Sequence, residues 1–111
     1  MARLVAALAA LALPATAAAA ISAPASVRVS TVVKNVPFAT NLTFDPAGGM
    51  WITSSLGSPV PSDGVWYASR GSRTAKHVAT GMHLALGLLW HAGVLYVANA
   101  ASPSEGQVTA L

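Results

Sequence analysis

A block of this chain recurs with its internal spacing intact 45 residues further on, and no other feature restricts its folding choices as tightly. Phe44-Asp45-Pro46-Ala47-Gly48-Gly49-Met50-Trp51-Ile52-Thr53-Ser54 aligns without a gap on Leu89-Trp90-His91-Ala92-Gly93-Val94-Leu95-Tyr96-Val97-Ala98-Asn99. Each copy reads as apolar strand, tight turn around glycine, apolar or aromatic strand, small polar residue. Units of this size cannot bury their apolar faces alone, so copies must stack on one another. The likeness runs on. Asp63-Gly64-Val65-Trp66-Tyr67 resembles Glu105-Gly106-Gln107-Val108-Thr109, and Thr31-Val32-Val33-Lys34-Asn35 matches Lys76-His77-Val78-Ala79-Thr80.

Short runs of β-branched and aromatic residues, broken by Gly, Pro, Asn, Asp and Ser, predict strands. They fall at Val27–Val33, Ala39–Asp45, Gly49–Ser55, Gly64–Ser69, Ala75–Thr80, Ala85–Trp90, Val94–Asn99 and Gly106–Leu111. Asp45-Pro46-Ala47-Gly48-Gly49 predicts a hairpin turn, since proline sets φ and glycine permits positive φ. His91-Ala92-Gly93 does the same in the second copy. Leu56–Asp63 predicts a longer loop, with Ala100–Glu105 as its counterpart. Met82–Trp90 is the one stretch with a rival helical reading, and Gly87 and its match to Phe38–Asp45 argue against it.

Short strands at this period, without helical pattern, predict an all-β fold: a partial β-propeller of about two four-stranded antiparallel blades. Ala39–Thr80 makes one blade. Val27–Val33 is then an outer strand without a blade before it, and Gly106–Leu111 a third strand without a fourth after it. About two blades leave apolar faces and strand edges bare. The expectation is therefore an incomplete ring, an N-terminal portion that needs missing blades or self-association to close.

Ahead of the repeats, Met1-Ala2-Arg3 gives a basic start, Leu4–Leu13 an apolar run, and Pro14–Ala20 a small-residue tract. That order predicts a secretory signal peptide over 1–20, cut after Ala20 or as late as Ala25, and a secreted or periplasmic protein. The alternative is an uncleaved membrane anchor or an amphipathic helix. The run is short for a span of roughly 20 apolar residues, so no stable membrane span is expected after cleavage. The remaining domain, 21–111, holds Arg28, Lys34, Arg70, Arg73 and Lys76 against Asp45, Asp63 and Glu105. Its basic cluster sits in one Gly/Ser loop and reads as a solvated turn, not as a nucleic-acid surface. There is no cysteine, which excludes disulfides, thiolate metal sites and thiol nucleophiles.

The stretches Asn41–Thr53 (NLTFDPAGGMWIT), Asp63–Tyr67 (DGVWY) and Ala79–Asn99 (ATGMHLALGLLWHAGVLYVAN) resemble blades of six-bladed propellers. The closest group holds NHL-repeat proteins, the gluconolactonase/regucalcin family and soluble quinoprotein glucose/sorbosone dehydrogenases. The resemblance covers nearly all of Val27–Leu111. It implies a propeller acting on a small sugar-like or lactone substrate in the complete ring, with this portion inactive alone. The alternative it leaves is a non-catalytic NHL-like module that binds protein or glycan. Calcium or pyrroloquinoline quinone (PQQ) is implied by the resemblance only. The gluconolactonase branch places a metal-ligating Glu where this chain has Ala39-Thr40-Asn41-Leu42, and no complete cofactor site can be assigned.

In ring propellers small-molecule ligands bind at the central channel, beside the innermost strands. The matching positions are Phe38–Asn41 and His83–Leu86. Asn41 is a ligand-binding candidate through its amide, against a loop residue bonding its own backbone. His83 is a candidate base or ligand-binding group, against a plain surface histidine. Asn41-Leu42-Thr43 is also an N-glycosylation triplet, lying inside a predicted strand. His77 and His91 fall on other elements, so no metal site is expected. Trp51, Trp66, Trp90 and Tyr96 offer a sugar-stacking platform or, more simply, core between repeats. Asp45 and Asp63 read as turn and loop residues. No nucleophile-elbow motif joins the serines, histidines and acids.

Overall fold

The structure, a computed structural model, describes residues 21–56 and 61–111. The predicted signal peptide and residues 57–60 of the predicted long loop lie outside them. Contacts divide the chain into two units, Met1–Ser30 and Thr31–Leu111. The described part of the first unit has no strand; its one backbone hydrogen bond of note runs from Val27 N–H to the Pro24 carbonyl at 2.9 Å.

The second unit is all-β among the described residues. Its strands are β1 (Ala39–Phe44), β2 (Met50–Ser54), β3 (Gly64–Ala68), β4 (Lys76–Thr80), β5 (His83–His91), β6 (Val94–Ser102) and β7 (Glu105–Ala110). They form a four-stranded antiparallel sheet, β1-β2-β3-β4, and a three-stranded antiparallel sheet, β5-β6-β7, with no closed barrel. The rival helix over Met82–Trp90 is overturned: those residues contribute β5, whose buried Ala85 and half-buried Leu88 and Trp90 face the first sheet.

One expected strand is absent. Val27–Val33 carries strand-forming residues but pairs with no ladder, and the first strand begins only at Ala39. Side-chain preference without a partner does not make a strand. Residues after Ser30 are held along the far edge of the first sheet by other bonds. Lys34 N–H donates to the Arg73 carbonyl, Arg73 reaches the Thr31 carbonyl, and Asn35 exchanges two bonds with Ala75.

The two hairpins that look alike in sequence are built differently. Asp45 closes the first through backbone bonds with Gly48 and Gly49, both 3.0 Å, with Gly48 at φ 83°. That is a three-residue loop with a glycine bulge. The second is a two-residue turn, Ala92 (φ 48°) and Gly93 (φ 81°), between paired His91 and Val94. Two successive positive φ values give the turn whose twist suits adjoining strands. Alanine is a poor residue there, so Ala92→Asn is expected to stabilise the domain by about 1 kcal/mol in denaturant unfolding. An unchanged or lower midpoint would show that the turn is not strained.

Because the first loop is one residue longer, the gapless sequence match slips in the inner strands. Thr43 pairs with Trp51, but Leu89, not Leu88, pairs with Tyr96. The expected loop at Ala100–Glu105 also shrinks: β6 runs to Ser102, which pairs with Glu105, leaving Pro103-Ser104 as a tight turn.

The two sheets pack face to face. The buried cluster joins Val65 of the first sheet to Met82, Ala85, Leu95 and Val97, with Trp51, Ala79, Leu88 and Trp90 against it. Trp51 stacks on Trp90 at 5.9 Å and tilts against Tyr67 at 4.6 Å. The seam between the sheets repeats the sequence period. Thr40 Oγ1 donates to the Ala85 carbonyl at 2.7 Å, and Asn41 Nδ2 to the Leu86 carbonyl at 3.1 Å. Successive residues of β1 thus meet successive residues of β5, and the two strands run side by side in the same direction.

Candidate functional site

Phe38 and Leu84 stand at matching places where the chain enters β1 and begins β5. Both hold left-handed backbone, φ 47° and 49°. A bulky residue there costs roughly 1–2 kcal/mol, and such strain concentrates where a structure presents groups for a purpose. The strained pair falls within the two segments, Phe38–Asn41 and His83–Leu86, expected to carry the site.

His83 is exposed and is the first residue of β5, paired with Ala100 of β6. Its neighbours Leu84 and Leu86 line a shallow depression of about 370 Å³, closed on the other side by the β6–β7 hairpin with Ser102, Pro103, Glu105 and Gln107. The depression is largely apolar, with two hydroxyls, two amides and one carboxylate among its lining groups. Such a surface can hold a small ligand by its apolar face while a few polar groups orient it.

Asn41 stands elsewhere in this arrangement. It lies in β1, and its amide is already engaged: Oδ1 accepts from Leu42 N–H at 2.8 Å and Nδ2 donates to the Leu86 carbonyl. It is tied to the backbone of the same β5 residue whose side chain lines the depression. The structure therefore connects Asn41 with the His83–Leu86 segment through a positioning bond. The same engagement occupies the asparagine of the glycosylation triplet.

The other histidines are kept apart. His91 ends β5, so along an extended strand it lies roughly 25 Å from His83. His77 sits on β4 and stacks on Trp66, centroids 4.4 Å apart and nearly parallel at 9°. Its Nε2 is buried without a hydrogen-bond partner, as is Oδ2 of buried Asp63. Among the described residues no three His, Cys, Asp or Glu side chains gather as a metal site.

The acids work locally. Asp45 Oδ1 accepts from Gly49 N–H at 2.8 Å and Oδ2 from Trp51 Nε1–H at 3.1 Å, so it fixes both its turn and a core indole. Asp63 Oδ1 accepts from Leu56 N–H at 3.1 Å, bracing the loop between β2 and β3. Trp51 and Trp90 belong to the packing between sheets, Trp66 to the face away from the second sheet, while Tyr96 is exposed.

One residue of the depression carried no mark in the sequence. Asn99 is buried, lines the depression, and accepts a bond from Thr109 Oγ1 at 3.4 Å. The only hint was its place at the end of the repeat, opposite Ser54, whose hydroxyl donates to the Pro37 carbonyl. Among the described residues no helix is long and apolar enough to cross a membrane. Comparison with protein-family models, with curated proteins and with solved structures found no match to this chain.

Proposed function

We propose that this chain is part of an exported β-propeller protein related to the sugar-dehydrogenase and lactonase group, which takes a small sugar-like or lactone ligand at the inner-strand end of its blades. One observation carries the reading. The inner strands β1 and β5 run side by side, with residues one sequence period apart in direct contact, as Thr40 to Ala85 and Asn41 to Leu86 are. Two blades set around a channel would have this relation. The strained backbone at Phe38 and Leu84 supports placing the ligand there. A ring needs four to eight blades, so turnover needs further repeats, while the binding segments His83–Leu86 and Ser102–Gln107 belong to this chain. His83 is the group assigned to the ligand, as hydrogen-bond partner or base.

A second reading, a non-catalytic propeller module that binds protein or glycan, is favoured by one specific observation. Asp45 and Asp63 are both engaged in bracing loops, which leaves Glu105 as the acid on the depression.

Titration of monosaccharides and their aldonolactones, followed by amide NMR shifts, separates the two. The propeller-enzyme reading expects saturable shifts confined to His83–Leu86 and Ser102–Gln107, weakened about tenfold by His83→Ala. Shifts with oligosaccharide only, unaffected by His83→Ala, would support the binding module. No saturable shift with either would overturn both.

A further inference from the structure

The two sheets are related so that each carries two different apolar faces, and in this chain only one of each kind is covered. On the first sheet Thr43 pairs with Trp51, and Thr53 with Val65; this face receives the second sheet. The matching positions on the second sheet are Leu89 with Tyr96 and Ala98 with Val108. All four are exposed, Val108 at 69% and Leu89 at 58%. On the second sheet, Leu88, Trp90, Leu95 and Val97 form the face that docks on the first. Their counterparts on the first sheet are Leu42, Phe44, Met50 and Ile52. There Leu42 is 50% and Phe44 55% exposed, while Ile52 is already buried.

We infer that the exposed outer face of β5–β7 docks the outer face of β1–β2 of a second copy of this chain, repeating between molecules the packing that joins the two sheets within one. The occupant follows from continuity. The exposed face around Val108 repeats by position the face around Val65, and the face shaped to cover it is carried, around Phe44, by the chain itself. Water would otherwise meet Leu89, Tyr96, Ala98 and Val108 together, a patch of the kind that marks an interface. The contact joins two unlike faces, so it propagates head to tail. It closes into a ring where the rotation allows and gives an open chain of copies where it does not. The inference rests on the repeat geometry and holds whether or not the assembly acts on a sugar.

Sedimentation velocity and native mass spectrometry of the full chain test it. The wild-type protein is expected to form multimers that grow with concentration. Val108→Lys, which spoils the second-sheet face, and Phe44→Lys, which spoils the first-sheet face, are each expected to weaken self-association at least tenfold. Both sites are exposed. Leu42→Lys replaces Phe44→Lys if circular dichroism shows the latter unfolded. The decisive sample is the equimolar mixture. Each variant keeps the face the other lacks, so a head-to-tail contact gives a 1:1 dimer that grows no further. A mixture that stays monomeric, or wild-type protein monomeric at millimolar concentration, overturns the inference and leaves the face to a different partner.

Discussion

Replacing Gly64 with alanine is expected to cost at least about 3 kcal/mol and so to remove more than half of the domain's stability. Gly64 opens β3, pairs with Ser54 on one side and Thr80 on the other, and has φ 136°, where a side chain is strained whatever the space. Space is lacking as well. A methyl group there would overlap the Ala79 carbonyl oxygen and sit 3.2 Å from His77 Nε2. That carbonyl is backbone of the neighbouring strand, so it cannot swing aside as a flexible side chain could. A domain of this size has roughly 5 kcal/mol of stability to lose. Gly71→Ala is the control. Gly71 has φ 80° but nothing within 4 Å of an added methyl, so it should cost only about 1 kcal/mol in urea unfolding. Equal losses at the two sites would mean that backbone strain alone, and not overlap with β4, governs Gly64.

Trp51→Ala is expected to cost about 3 kcal/mol. Three contacts meet on this indole: the stack on Trp90, the tilted contact with Tyr67, and the bond from Nε1 to Asp45. The first joins the two sheets, the second two strands of one sheet, and the third a hairpin turn to the core. Trp51→Phe keeps an aromatic ring between Trp90 and Tyr67 while losing the bond and part of the indole, so its expected cost is smaller, about 1–2 kcal/mol. Urea unfolding of both variants gives the ratio. If Trp51→Ala costs less than about 1 kcal/mol, the two sheets do not depend on this contact. Loss of one broad transition in favour of two would show that Trp51 couples the sheets into one cooperative unit.

The strands from Ala39 to Ala110 were legible because their apolar and aromatic residues alternate between glycine- and proline-marked turns. That pattern answers to pleat geometry, which is local. The failures share a different cause. Val27–Val33 has the composition of a strand, but a ladder needs a partner, and partners are set by the whole fold. The match of Leu88 to Thr43 failed by one residue because Pro46-Ala47-Gly48 and Ala92-Gly93 are different turns, a distinction visible only in backbone angles. Asn41 illustrates the same limit at the site. Its amide looks free to meet a ligand until β5 is set beside β1, and the Leu86 carbonyl then takes it. His83 was singled out by its place at the start of an inner strand, and the structure puts it there, exposed, as the first residue of β5. Asn99 was missed because its burial follows from sharing a β6 face with Leu95 and Val97, which only the packing of the second sheet on the first covers.

The seam between β1 and β5 has a lopsided grammar. Thr40 and Asn41 contribute side chains, whereas Ala85 and Leu86 contribute carbonyl groups that every amino acid possesses. Substitution therefore matters unequally on its two banks. Leu86, exposed at 54%, can drift through many residue types and still be recognised by Asn41. A change at Asn41 erases the recognition at once. Tandem units joined in this way can diverge at one bank while the other holds them in step.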